Sequence, residues 1–254
     1  LKADLRGLGE LAVAFSGGAD SSLLLRAAHD ALGERAIGIT IRSPYMSSRE
    51  IAEAVEFART YGIRHEILEL GVAEEIKDNP ENRCYLCKKA VFSRLIERAR
   101  ELGFSRVADG TNRDDLGEYR PGLKAKEELG VLSPLINLTK SEIRELSREL
   151  NLPTAEKPSY ACLLTRLPHG REIDESELNL IEAAENLLIA SGYANVRARC
   201  DRKNIKLQMP FSSMQSFLND AKFKSVVRQL VTLGAADVTL DLKGLREDVL
   251  HERG

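Results

Sequence analysis

An α/β fold, a parallel sheet covered by helices with a small α/β domain appended, is what this 254-residue sequence predicts. Three observations carry the expectation. Short apolar runs rich in β-branched residues alternate with amphipathic helical stretches, the first run meets the first helix through a Gly-Gly turn, and the alternation stops near Pro153. In such a sheet ligands bind outside the carboxyl ends of the strands.

The elements follow in order. Leu11 to Phe15 reads as a buried strand, Ser16-Gly17-Gly18-Ala19 as the turn, and Asp20 to His29, with leucines at helical spacing, as the first helix. "RAIGITIRS" is a β-branched run, "SSREIAEAVEFARTYG" an amphipathic helix starting at a serine cap, and "RHEILEL" another strand. "YLCKKAVFSRLIERARELG" reads as a helix ending at Gly103, and "FSRVADGTN" as a strand running into a polar loop. In "TKSEIRELSREL", Thr139 caps and Glu142 occupies the capping-box position. "NLPTAEKPSYACLLTRLPHGREI" holds three of the chain's eight prolines without a clean period and reads as a long loop, a form that is functional when ordered. Beyond it come the helix "DESELNLIEAAENLLIASG", short strands "NVRAR" and "NIKLQ", one or two helices in "SSMQSFLNDAKFKSVVRQLVTLG", and a last strand "ADVTLDL". "KGLREDVLHERG" is expected to fray. The reading places one domain at 1–170 and a second at 171–254.

Composition narrows the function classes. Hydrophobic residues make up 43% and charged ones 30%, enough for a packed core. No apolar run approaches the ~20 residues of a membrane span, and "LKADLRGLGE" lacks the halves of a secretion signal, so a cytoplasmic protein without a membrane partner is expected. A net charge of −2 gives no electrostatic footprint for a long nucleic acid, while a small anionic ligand fits. The four cysteines are too few for a disulfide scaffold. The histidines, His29, His65, His169 and His251, show no ligand spacing.

The turn is where chemistry concentrates. Two glycines admit a ligand close to the backbone, and the first-turn amides of the next helix lack carbonyl partners and carry partial positive charge. Ser16, Ser21 and Ser22 add hydroxyl donors. The string "SGGADSS" resembles the SGGxDS signature of the PP-loop ATP pyrophosphatases, an adenine nucleotide alpha hydrolase-like fold, and it is not a Walker A motif because no GK[ST] follows. The resemblance implies ATP cleavage between the α and β phosphates, with adenylation of a substrate oxygen and the leaving pyrophosphate held by Ser16, Gly17, Gly18, Ser21 and Ser22. An aspartate sits badly against pyrophosphate unless a cation lies between them, which assigns Asp20 to Mg²⁺.

Two further loops should emerge beside it. "DGTNRDD", Asp109 to Asp115, is by itself an ordinary turn-rich loop. It is similar to the GTN segment of NAD synthetase-like members, which implies that Gly110, Thr111 and Asn112 border the nucleotide and that Asp114 and Asp115 support Mg²⁺. "TIRSP" should approach the adenine through Thr40 and Arg42.

Cys84 and Cys87 form a CxxC pair, which by itself reads as a redox pair, half a zinc site or two inert thiols. Cys162 lies in the irregular loop, and Cys200 in the appended domain is no obvious fourth ligand. Three thiolates with an open position suit an Fe–S cluster. "PSYACLLTRLPHG" resembles the PSxACLxxRxPxG loop of the LarE family of ATP-dependent sulfur transferases. "NRCYLCKK", "DGTNRDD" and "GYANVRAR" extend the resemblance over nearly the whole chain.

That resemblance implies a pyridinium dicarboxylate mononucleotide as substrate, activated by ATP as an acyl adenylate and then converted to a thiocarboxylate for a nickel-pincer cofactor. It implies either a sacrificial cysteine at Cys162 or a [4Fe-4S] cluster on Cys84, Cys87 and Cys162 that delivers sulfide from an external source. With all three cysteines present, the cluster is the expectation. Arg197 and Arg199 alternate on a strand and share one face, where guanidinium forks suit phosphate or carboxylates; family similarity adds Arg166 and Glu185 to the substrate pocket. It also implies a homo-oligomer. After "VRAR" the family's usual HG is replaced by Cys200-Asp201, and the tail "LDLKGLRED" matches loosely. The rival readings are a PP-loop tRNA thiolation enzyme, an ammonia-using ligase such as NAD synthetase, and a redox or metal-storage module. The slightly acidic chain lacks a Lys/Arg-rich arm and a terminal zinc ribbon, and the latter two readings leave the cysteine triad or the pyrophosphate loop unexplained.

Overall fold

The computed structural model describes residues 1–117 and 121–245. The expected fraying of the tail from residue 246 onward, the end of the loosely matching "LDLKGLRED" and His251 lie outside the described residues. The chain divides into two compact units, Leu1–Tyr160 and Ala161–Gly254, so the loop that carries Cys162 begins the second.

The first unit is built on β1 (Leu11–Ala14), β2 (Ala36–Arg42), β3 (Arg64–Glu69) and the short β4 (Val107–Ala108), in the order β3-β2-β1-β4. All pairs are parallel, with Leu11 opposite Ala36, Ile37 opposite Arg64, and Ala12 opposite Val107. Because β1 is central and beside both β2 and β4, the turn after β1 and the loop after β4 emerge as neighbours, as the alternation predicts. The chain reaches these strands through α1 (Lys2–Leu8), α2 (Ala19–Leu32), α3 (Ser48–Thr60) and α4 (Arg83–Glu101), followed by α5 (Pro121–Glu128) and α6 (Lys140–Glu149).

Alternation along β1 sorts the core into two faces. Leu11, Val13 and Phe15 join Leu24, Ala28, Phe57 and Ile143, from α2, α3 and α6. Ala12 joins Ile37, Ile39, Leu95, Ala99 and Val107, under α4. Gly38 on β2 has no room for a side chain, since a Cβ would lie 2.8 Å from Leu25 Cδ2, and this lets α2 settle on the sheet. The Thr139 capping box at the start of α6 is formed as expected: Thr139 Oγ1 accepts from the Glu142 N–H, and Glu142 accepts from the Thr139 N–H at 2.7 Å. α1 and α5 had no sequence signal strong enough to mark them.

The second unit carries a short 3-10 turn at Leu163–Arg166, α7 (Glu175–Ala190), β5 (Arg197–Asp201), β6 (Asn204–Gln208), α8 (Phe211–Asn219), α9 (Phe223–Thr232) and β7 (Asp237–Leu240). β5 and β6 are antiparallel, and β7 adds parallel to β6 after the α8–α9 crossover. The hairpin turn puts Arg202 and Lys203 at φ of 50° and 65°, a left-handed pair usually given to Asn-Gly. Glu177, buried on α7, accepts the Lys203 N–H at 3.1 Å, and the Ala236 N–H reaches the Lys203 carbonyl at 2.8 Å. Those bonds offset the backbone cost of roughly 1–2 kcal/mol per residue. No helix among the described residues is long and apolar enough to cross a membrane.

Candidate active site

Gly17 takes φ +70°, and a Cβ there would meet Ala54 of α3 at 3.1 Å, so both the turn and its packing require glycine. Gly18, extended, rather than Asp20, is the N-cap of α2, which leaves Asp20 in the first turn. Ser16 and Ser21 close the turn: their hydroxyls are 3.1 Å apart, and Ser21 Oγ donates to the Gly18 carbonyl at 3.3 Å. Ser22 is fully buried, and its hydroxyl has no protein partner among the described residues. The Gly18 N–H has a long 3.4 Å contact to Ser16 Oγ. A concave turn of amides and hydroxyls at a helix N-terminus is chemically an anion cradle.

The loop after β4 lies directly on this turn. A Cβ on Gly110 would stand 2.9 Å from the Ser21 amide nitrogen and 3.0 Å from Asp20 Cβ, so only glycine allows the approach. Asn112 then reaches across: its Nδ2 donates to Asp20 Oδ1 at 3.3 Å, while its Oδ1 accepts from the Asp114 N–H at 3.0 Å and the Asp115 N–H at 3.3 Å. Asp115 in turn accepts the Asn112 N–H at 3.0 Å. The structure therefore brings together Asp20, Gly110, Asn112, Asp114 and Asp115, elements far apart in sequence.

Thr111 faces inward instead. Its hydroxyl donates to Asp109 at 2.7 Å and accepts from Lys126 of α5 at 2.5 Å, and Lys126 also pairs with Asp109. Burial pushes the Asp109 carboxyl up, but the Lys126 ammonium and the Thr111 bonds outweigh it and hold the group below the ordinary aspartate value. Thr40 is likewise committed: its hydroxyl donates to the Phe15 carbonyl at 2.7 Å and meets His65 Nε2 at 2.8 Å. Burial holds His65 below the usual histidine value, with Glu66 opposing. Arg42 pairs with Glu69 at 2.6 Å on the surface. Neither residue of the "TIRSP" segment has its side chain uncommitted.

Two lysines that sequence reading missed complete the first unit's site. Lys140, the first residue of α6, pairs with Asp20 at 2.5 Å, and its N–H donates to Asp114 at 2.8 Å. A lysine at a helix N-terminus opposes the macrodipole, and that misfit was the available signal for nearby anions. Lys157 donates to the Gly17 carbonyl at 2.9 Å and pairs with Glu53 at 2.6 Å.

Cys84 and Cys87 stand one turn apart at the start of α4, the first exposed and the second half-buried, with Cys87 Sγ 3.5 Å from Tyr45 Oη. No disulfide forms among the described residues, nor do three His, Cys, Asp or Glu side chains gather as a metal-ligand group. Cys200 is buried, and desolvation with the neighbouring Glu177 pushes its thiol up to about 12, so it stays an inert thiol.

In the second unit Arg166 and Glu185 find each other. Arg166 Nε and Nη2 donate to the two Glu185 oxygens at 2.9 and 3.2 Å, and Glu185 also accepts the Ala198 N–H of β5 at 3.0 Å. Arg166 Nη1 donates to the Ala161 carbonyl at 2.8 Å and to Thr165 Oγ1 at 2.7 Å, framing the turn that follows Cys162. Arg197 and Arg199 share the half-buried face of β5, as alternation predicts, with Ala198 buried between them. Arg199 donates to the Thr165 carbonyl at 3.1 Å, which places it against the same turn.

No family model matches the sequence. It is 37% identical over 243 residues to an uncharacterized protein of Synechocystis, covering 94% of this chain and 91% of that one. It is 33% identical over 259 residues to the pyridinium-3,5-bisthiocarboxylic acid mononucleotide synthase of Lactiplantibacillus plantarum, covering 99% and 92%. The chain belongs to the LarE family. More distant similarity runs to a glutamine-hydrolyzing GMP synthase of Thermoplasma volcanium, 26% identical over 71% of this chain and 63% of the matched one. It also runs to a tRNA-specific 2-thiouridylase of Caldanaerobacter subterraneus, 28% identical over 57% and 52%. This LarE-family chain is thus an ATP-dependent sulfurtransferase with a PP-loop fold, and the turn after β1 is its PP-loop.

Proposed function

We propose that the protein adenylates a carboxylate of a pyridinium dicarboxylate mononucleotide with ATP and replaces carboxyl oxygen by sulfur, in the making of a nickel-pincer cofactor. The observation that carries the reading is the approach of Gly110 and Asn112 to Ser21 and Asp20, which joins an anion cradle to a cluster of hard oxygen ligands. In this reading the amides and hydroxyls of Ser16 to Ser22 receive the pyrophosphate as the substrate carboxylate attacks the α phosphorus. Asp20, with Asp115 in support, is the Mg²⁺ ligand; the carboxylate is of the right class and a quarter exposed. Sulfide then attacks the acyl carbon and AMP leaves.

The second unit is the substrate domain of this proposal, and the chain works as a homo-oligomer. Arg197 and Arg199 pair with substrate phosphate or carboxylates, and the Arg166–Glu185 pair holds the turn beside them. Cys84, Cys87 and Cys162 are the thiolates for a [4Fe-4S] cluster, soft donors of the right kind, two of them set one turn apart at a helix N-terminus that favours thiolate. Such a cluster supplies an open iron for exogenous sulfide.

The test counts products per chain. With ATP, Mg²⁺, substrate and excess sulfide under anaerobic conditions, iron-loaded protein should turn over many times, and Cys84→Ala should lose both iron and activity. One product per chain, a mass deficit of one H₂S at Cys162 and full activity in Cys84→Ala would replace the cluster with a sacrificial Cys162.

A further inference from the structure

The side chain of Lys157 is only 10% exposed and ends on a backbone carbonyl, that of Gly17, as well as on Glu53. The segment that carries it is itself pinned. Arg144 of α6 donates to the Ala155 carbonyl at 2.7 Å and to the Lys157 carbonyl at 3.3 Å, and the Arg49 guanidinium of α3 lies 4.7 Å over the Tyr160 ring. A lysine on an anchored backbone reaches a fixed point.

The Gly17–Gly18 peptide is the one at which the PP-loop can fail. In a trans peptide the C=O and N–H point in opposite directions, so holding the Gly17 oxygen on Lys157 turns the Gly18 N–H to the other side. With glycine on both sides this peptide can flip, because neither residue has a Cβ to forbid the new dihedrals. A flip would carry Gly18 from φ −79° to roughly +100° and present a carbonyl oxygen where an amide donor stood.

We propose that Lys157 is a positioning residue of the PP-loop: it holds the Gly17 carbonyl so that the Gly18 N–H is presented to the pyrophosphate. The inference rests on the reading of this loop as the pyrophosphate site. It assigns Lys157 no contact with the anion, and this separates it from a phosphate-binding lysine.

The experiment is calorimetric titration of the full chain with magnesium pyrophosphate, in a cycle of wild type, Lys157→Met, Gly18→Ala and the double variant. Gly18 is extended and a Cβ there would meet only Ser16 Oγ, at 3.4 Å, so alanine keeps the native conformation and forbids the flipped one. If removing the lysine leaves a tenth of the loops competent, affinity falls about tenfold in the wild-type background. In the Gly18→Ala background the same substitution should cost less than about threefold, because the flipped state is closed. Lys157→Arg should restore most of the affinity, and Lys157→Gln serves the same cycle if the methionine variant does not melt cooperatively.

Equal losses in both backgrounds would overturn the proposal in favour of a direct contact, and no loss in either would show that the loop holds itself. A wild-type chain that does not bind magnesium pyrophosphate would overturn the site reading itself, a distinguishable result.

Discussion

Gly110→Ala tests whether the two loops need their observed contact. The added Cβ would lie 2.9 Å from Ser21 N, 3.0 Å from Asp20 Cβ and 3.1 Å from Asp20 C. All three atoms belong to the first turn of α2 or sit next to its backbone, so none can swing aside. Reaching ordinary contact requires the loop to retreat by about 0.5 Å. The Asn112–Asp20 hydrogen bond, already 3.3 Å, does not survive such a shift. Overpacking of this kind costs about 1–3 kcal/mol, and the reduced freedom of the unfolded chain returns about 0.4–1 kcal/mol, leaving a net loss near 1.5 kcal/mol. For a chain of this size that lowers Tm by roughly 3–6 °C.

Gly71→Ala is the matched control, because nothing lies within 4 Å of its Cβ and its φ is not positive. It should be neutral or slightly stabilising. Thermal melts of both variants, with magnesium pyrophosphate titrations, check the expectation. A Gly110→Ala protein as stable as Gly71→Ala and with wild-type affinity would refute the claim that this approach builds the site.

Asp20→Ala should stay folded, since a partly exposed ion pair with Lys140 is worth about 1 kcal/mol or less, yet lose substrate-dependent pyrophosphate release by at least about a hundredfold; near-normal release would remove Asp20 from the site. Arg197→Ala and Arg199→Ala should each weaken binding of the mononucleotide ten- to a hundredfold, about 1.5–3 kcal/mol, with ATP affinity unchanged. Equal losses for the two ligands would place these arginines elsewhere in the cycle. Lys126→Met strips the buried Asp109 of its counter-charge and should cost about 3–5 kcal/mol at pH 7. In the wild type Asp109 lies below its unfolded value of 3.8, so its stabilisation is present above that pH and fades as pH falls through the folded value. Without Lys126, burial dominates and raises the group, so the variant's deficit should shrink on acidification; denaturant melts across pH that keep a constant gap would contradict this.

Much of this was legible because it is written in short-range pattern. The alternation of "RAIGITIRS" and "SSREIAEAVEFARTYG" is a periodicity signal, the Thr139–Glu142 box is a four-residue code, and the SGGxDS string names its own turn. What a sequence pattern leaves open is which polar groups satisfy each other. Thr40, Thr111, Arg166 and Glu185 had the right chemistry for ligands, but their partners lie 25, 15 and 19 residues away, and those hydrogen bonds exist only once the chain has closed. The same limit hid Lys140, whose partner Asp20 is 120 positions distant, and Lys157, 140 from Gly17. α1 escaped because "KADLRGL" is short and contains glycine, a weak helix signal.

Burial separates two kinds of charged pair in this protein, and the separation has a physical consequence. Asp109 and Lys126, 8% and 14% exposed, and Arg166 and Glu185, 3% and 10%, have most of their hydrogen-bonding capacity taken up by protein. A charge in that position cannot turn to a ligand without leaving its partner desolvated, at a cost of several kcal/mol. Such pairs can hold loops in place, as Asp109 does for Thr111 and Arg166 for the Cys162 turn. Asp20 and Lys140, at 26% and 27%, keep water within reach, so exchanging one partner for another costs far less. Substitution at Glu185 therefore reads out first as lost stability, while substitution at Asp20 reads out as lost chemistry in a protein that still melts normally.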